Sequence, residues 1–176
     1  MRVIFLFPLL FFLASCTPQT NATLTPTATV TLQMLQQRPL HLPSLASGTS
    51  CPVTPSQRVD LRFGAAQGKG PLYMIIDPAT GATGGQDEHL LKTLVLVAPS
   101  YQGPILLRGQ QLDGHHEVRF GQEPASSKLA LASTIKGRDD SNWLNYATYT
   151  RVRAPGCYGI QLDGASFHYQ IIFKAV

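Results

Sequence analysis

The sequence predicts one all-β domain, and three observations carry the prediction. Short apolar runs recur from about Leu42 to the C-terminus with Gly, Pro, Asn, Asp or Ser between them, no convincing 3.6-residue periodicity appears, and charge is sparse. Of 176 residues, 14% are charged and 44% hydrophobic, with 15 Gly and 13 Pro, a composition that excludes charge-driven disorder and long coiled coils. Nine runs have strand character, and their spacing indicates a sandwich or barrel.

The first run, Arg58–Phe63, alternates, with Val59, Leu61 and Phe63 on one face. Pro71–Ile76, Leu90–Ala98, Pro104–Arg108, His115–Phe120, a weaker Lys128–Ala132, Ala147–Arg153, Cys157–Leu162 and Phe167–Lys174 follow. Residues 77–88 and 133–145 read as long connections. Gln111-Leu112-Asp113-Gly114 and Gln161-Leu162-Asp163-Gly164 repeat the same residues fifty positions apart, and each Asp-Gly predicts a tight hairpin turn. In the last run Phe167, Tyr169, Ile171 and Phe173 share one face, so that strand packs strongly and is needed for folding.

Ahead of these strands the chain changes character. Met1-Arg2 supplies a positive charge, and Val3–Leu13 is an uncharged, wholly apolar stretch of eleven residues, the length of a signal-peptide core and too short to span a bilayer. It ends in Leu13-Ala14-Ser15-Cys16, which resembles the lipobox of bacterial lipoproteins at every position. The resemblance implies a signal peptide over residues 1–15, cleavage before Cys16 and a diacylglyceryl group on its sulfur; two acyl chains suffice for stable anchoring. The partner so implied is a membrane, reached through diacylglyceryl-Cys16, and the location is extracytoplasmic. From Thr17 to Gln37 come seven Thr, two Pro and no charge, so residues 16–41 are expected to be anchor plus extended tether and 42–176 the β domain.

With Cys16 assigned to lipid, Cys51 and Cys157 remain, and in an oxidising compartment the simplest outcome is one disulfide between them. Free or metal-binding cysteines are the alternative. The stretch Arg153-Ala154-Pro155-Gly156-Cys157-Tyr158, followed by the second Asp-Gly, resembles the closing strands of immunoglobulin-like modules and the C-terminal half of uncharacterised secreted bacterial proteins. That resemblance implies an immunoglobulin-like β-sandwich of about 8–9 strands and no particular activity. It departs in one respect: antibody-type domains carry the corner tyrosine two residues before the cysteine, whereas Tyr158 directly follows Cys157. Neighbouring strand residues face opposite ways, so with Tyr158, Ile160 and Leu162 inward, Cys157 faces outward or sits at an edge.

Function is less legible. Basic residues outnumber acidic ones by 14 to 10 but are scattered singly, which gives no nucleic-acid footprint. His115, His116 and Glu117 follow the first Asp-Gly; the histidines diverge as strand neighbours, while His115 and Glu117 share a face that His89 or His168 could join to hold a metal. Solvated hairpin residues are the simpler reading, as are solvated turns for Asp87-Glu88 and Asp139-Asp140. No nucleophile elbow or phosphate loop is present, and no cofactor is implied. Tyr101, Trp143, Tyr146 and Tyr149 could form a platform for an extracellular glycan, peptide or protein. The expectation is a lipid-anchored, non-catalytic binding or envelope module; the alternative is an extracellular metal-dependent hydrolase or metal carrier using His115 and Glu117 with a distant histidine such as His168.

Overall fold

Two-residue alternation sorts the strand side chains into a face that packs and a face that must be covered by something else. The computed structural model describes residues 29–46, 48–83, 88–132 and 143–176. Within them lie one short helix, α1 (Leu32–Gln36), and ten strands: β1 (Ser56–Asp60), β2 (Gly64–Gln67), β3 (Leu72–Thr83), β4 (His89–Val97), β5 (Ile105–Gln111), β6 (Glu117–Phe120), β7 (Lys128–Leu131), β8 (Leu144–Val152), β9 (Gly156–Gly164) and β10 (His168–Ala175). The fold is all-β, and every strand pair is antiparallel.

In place of two separate sheets, one hydrogen-bonded path joins the strands in the order β1-β2-β3-β4-β8-β6-β5-β9-β10, with β7 added beside β5. The link is β6, which pairs with β8 through Arg119 and Arg151 and with β5 through Val118 and Gly109. The sheet curls about one core. Met74, Val95, Val152, Leu107, Ile160 and Ile171, drawn from six strands, are all buried in it. The curl brings the two ends of the path near each other: Thr54, just before β1, donates its amide to the Ile172 carbonyl at 2.9 Å and accepts the Ile172 amide on Oγ1 at 2.8 Å. These bonds cover the outer edge of β10, an otherwise unpaired row of donors and acceptors.

Several sequence expectations change in detail. Arg58–Phe63 is not one strand but a β1–β2 hairpin turning at 61–63, so Leu61 is 85% exposed instead of sharing a buried face. β3 runs on to Thr83, into the stretch expected to be loop. The two Asp-Gly repeats also diverge. Asp113-Gly114 lies in the loop between β5 and β6 as predicted, whereas Asp163-Gly164 closes strand β9, with the turn falling at 165–167. Gly164 is needed for another reason, because a Cβ there would run into the Phe167 ring that folds back over the hairpin.

The largest difference concerns residues 31–41, expected as part of an extended tether. They form a strap across the outer face of β5 and β9. Thr31 caps α1 by accepting the Met34 amide, and Leu35 is fully buried, with α1 lying against β5. A five-residue helix is far too short to persist alone, so tertiary burial of Leu35 is what holds it. Leu42 passes over Gly159 of β9, and Leu45 donates its amide to the Leu112 carbonyl at 2.8 Å.

Candidate functional site

Cys51 and Cys157 are bridged, with Cα atoms 5.4 Å apart. Tyr158, Ile160 and Leu162 point into the core, so Cys157 faces outward as the alternation requires, and the bridge fastens the segment after the strap to the outer face of β9. Asp113 adds a second fastening, since its carboxylate accepts the Cys157 amide at 3.1 Å. Tyr158, displaced by sequence from the immunoglobulin corner position, still makes a corner-like contact: its hydroxyl donates to the Ala154 carbonyl at 2.8 Å. Cys16 lies outside the described residues, as do Asp87, Asp139 and Asp140.

The four aromatics do not form one platform. Tyr101 is 7% exposed, with its hydroxyl donating to the Pro104 carbonyl at 2.8 Å and accepting the Ala165 amide at 2.9 Å, so it locks two turns together. Burial in that setting pushes its phenol above the ordinary value, although the Ala165 amide pulls the other way. Trp143 packs edge-on to Phe63 and lies 6.0 Å from Tyr73. Tyr149 lines a hollow of about 690 Å³ on β3, β4 and β8, whereas Tyr146, three residues earlier on the same strand, packs its ring against the core.

Strand register gives that hollow its layout. Ile75, Leu94 and Ala147 stand side by side across three strands, and the next row on the same face is Asp77, Lys92 and Tyr149. Tyr73 lies two residues before Ile75, which puts it and its neighbour Trp143 at the opposite end of the same stripe. The β6–β7 connection closes one side, where Gly121 donates its amide to the Tyr149 carbonyl at 3.0 Å. The stripe from Tyr73 to Asp77 spans four steps along the strand, about 13 Å at roughly 3.3 Å per residue. An apolar floor with aromatic ends and a charged row suits an extended ligand.

The histidines are not gathered. His115, His116 and Glu117 line a hollow of about 310 Å³ together with Arg119 and Arg153. His168 is elsewhere, its Nδ1 2.8 Å from Asp163 Oδ1 and its ring 6.2 Å from that of His41. Among the described residues no three His, Cys, Asp or Glu side chains converge as metal ligands, so the set His115, Glu117 and His168 is not assembled.

Two buried charge clusters escaped the sequence reading. Glu88, expected in a solvated turn, is 2% exposed and accepts from Arg119 at 3.2 Å and from Arg151 at 3.0 Å. Asp163, expected in a turn, is fully buried, with Arg108 Nη2 and Gln161 Nε2 on one oxygen at 2.8 and 2.9 Å and His168 on the other. For both carboxyls burial is the largest influence and pushes the pKa up, but the combined donors outweigh it and hold each below the ordinary range. The signal available beforehand was the alternation in β9: Gln161 and Asp163 share the face of Cys157, and an outward face becomes a buried polar layer once a strap crosses it.

No family model matches the chain, and neither a curated protein nor a solved structure is significantly similar to it. What fold and site define is therefore an all-β, disulfide-bridged module with an aromatic-ended groove.

Proposed function

We propose that this protein is a lipid-anchored, extracytoplasmic module that binds an extended peptide, glycan or protein segment without catalysis. The observation that carries the binding reading is the stripe from Trp143 and Tyr73 over Ile75, Leu94 and Ala147 to Tyr149, lying on the sheet face opposite the core. These aromatic and large apolar side chains are half-buried, and apolar and aromatic walls around a hollow are the usual lining of a binding site. The anchoring reading rests on the lipobox-like Leu13-Ala14-Ser15-Cys16, and the Cys51–Cys157 bridge is in keeping with export to an oxidising compartment.

The binding reading is tested by screening the full chain against immobilised glycans and a peptide library, in parallel with Tyr149→Ala and Leu94→Lys. A ligand that both substitutions weaken tenfold or more supports the groove, while ligands indifferent to both substitutions overturn it. Anchoring is tested separately: Cys16→Ala should release the protein from membranes or stall its processing, and unchanged membrane retention of a correctly cut, unlipidated chain would refute it.

A further inference from the structure

We propose that the hollow between the strap and the β9–β10 turn is a binding site for a phosphate group. It measures about 520 Å³, and Arg38, His41, Ser166 and His168 supply its polar lining. Its charge is asymmetric. Arg38 and Arg108 face a single carboxylate, Asp163, and that carboxylate is completely buried whereas the Arg38 side chain is 33% exposed. The negative charge thus lies beneath the floor and the positive charge on the wall. Coulomb attraction for an anion entering from solvent is the consequence, and a divalent cation would meet a guanidinium first.

The lining groups are also held in place. Arg38 donates from Nη1 to the Gly164 carbonyl at 3.0 Å, and its own carbonyl accepts from Arg108 Nη1 at 2.8 Å. His168 commits Nδ1 to Asp163, which leaves Nε2 as its outward atom. That outer edge of the ring lines the hollow together with Arg38. Phe167 packs against the core, while Ser166 in the turn and His168 at the start of β10 both line the hollow, and Ser166 is exposed with a hydroxyl that can donate to a phosphate oxygen. A guanidinium and a hydroxyl supply donors of the kind that recognise phosphate, and the His168 ring edge lies on the same lining. The Arg38–Asp163–Arg108 contacts are explained by fastening the strap, but that role does not call for Ser166, His41 and the outer edge of His168 to line the same cationic hollow.

The phosphate could belong to a soluble ligand or to a phospholipid headgroup, and the test separates them. The full chain in neutral detergent is titrated with inorganic phosphate and, separately, with micelles doped with phosphatidylglycerol, following the imidazole NMR signals. Saturable shifts at His41 and His168, with His115 and His116 unmoved, are expected. Saturation by phosphate, with no further shift on adding doped micelles, assigns a soluble ligand; saturation by doped micelles at a concentration tenfold or more lower assigns a headgroup. Arg38→Gln should weaken the shifts at least tenfold. Because Arg38 also fastens the strap, Ser166→Ala is the companion variant, expected to melt as the native chain does and to bind several-fold more weakly. If neither probe moves His168, if zinc chloride alone moves it, or if Ser166→Ala and Arg38→Gln bind like the native chain, there is no phosphate site here.

Discussion

Gln161 grips the backbone at Pro39 and His41 with both ends of one amide: its Nε2 donates to the Pro39 carbonyl at 3.0 Å, and its Oε1 accepts the His41 amide at 2.6 Å. The Gln161 side chain is fully buried, so neither end of its own amide has water as a substitute. Gln161→Leu keeps the bulk but strands a donor and an acceptor, each costing about 1–3 kcal/mol when buried and unmet. The expected result is a lower urea midpoint together with faster hydrogen exchange at the His41 amide. A lower midpoint with His41 exchange unchanged would show that the strap does not depend on this contact.

Leu35 makes the complementary test on the apolar side of the strap. It is fully buried, although the helix that carries it spans only five residues. Leu35→Ala should cost about 2–5 kcal/mol, the usual range for deleting a buried leucine side chain. Met34, 47% exposed on the same helix, is the control, and Met34→Ala should move stability by no more than about 0.5 kcal/mol. Equal effects of the two substitutions would mean that the strap is not packed in solution.

Acid should undo the two buried charge clusters together. The carboxyls of Glu88 and Asp163 sit below their ordinary pKa when folded. Unfolded, they titrate near about 4.3 and 3.9. A folded pKa below the unfolded one contributes stability that is complete above the unfolded value and is lost as pH falls from about 4 through the folded value. Glu88→Gln leaves Arg151, a side chain only 4% exposed, with Glu123 as its remaining carboxylate partner. It should cost about 3–5 kcal/mol at neutral pH, as removing one partner of a buried pair usually does. Below pH 4 the gap between native and variant melting temperatures should narrow. A gap constant from pH 7 to 2.5 would show that the Glu88 charge contributes nothing.

What could be read in advance follows the range of the signal. The period of two is local, and it placed Tyr158, Ile160 and Leu162, and likewise Tyr169, Ile171 and Phe173, on core-facing sides with Cys157 opposite. The strap is a long-range event. Residues 31–41 continue a Thr- and Pro-containing stretch with no charge up to Arg38, so they look like tether. Much of what docks them is backbone carbonyls and amides, which leave no trace in composition. The same blindness hid Glu88 and Asp163, whose partners Arg151 and Arg108 lie 63 and 55 residues away in sequence. Of the groove, Tyr149 was legible as a loop or strand-end aromatic. Ile75, Leu94 and Ala147 become neighbours only through the β3–β4–β8 register.

The Cys51–Cys157 bridge acts mainly on the unfolded chain. It joins residues 106 apart, and closing a loop of about 100 residues is worth about 4–5 kcal/mol by chain entropy. In the folded state Cys157 is also held by the Asp113 carboxylate and by the Leu112 amide, which bonds its carbonyl at 2.7 Å. Local geometry at β9 therefore survives loss of the sulfur bond, and the whole entropic term should appear in the unfolding equilibrium. The double variant Cys51→Ser, Cys157→Ser is expected to lose stability on that order, with a steeper dependence on urea because its unfolded chain exposes more surface. Dithiothreitol should lower the native protein to the level of the variant and leave the variant unmoved. A native chain whose unfolding curve is indifferent to reductant, with both thiols then shown by alkylation to be free, would remove the bridge from any account of its stability.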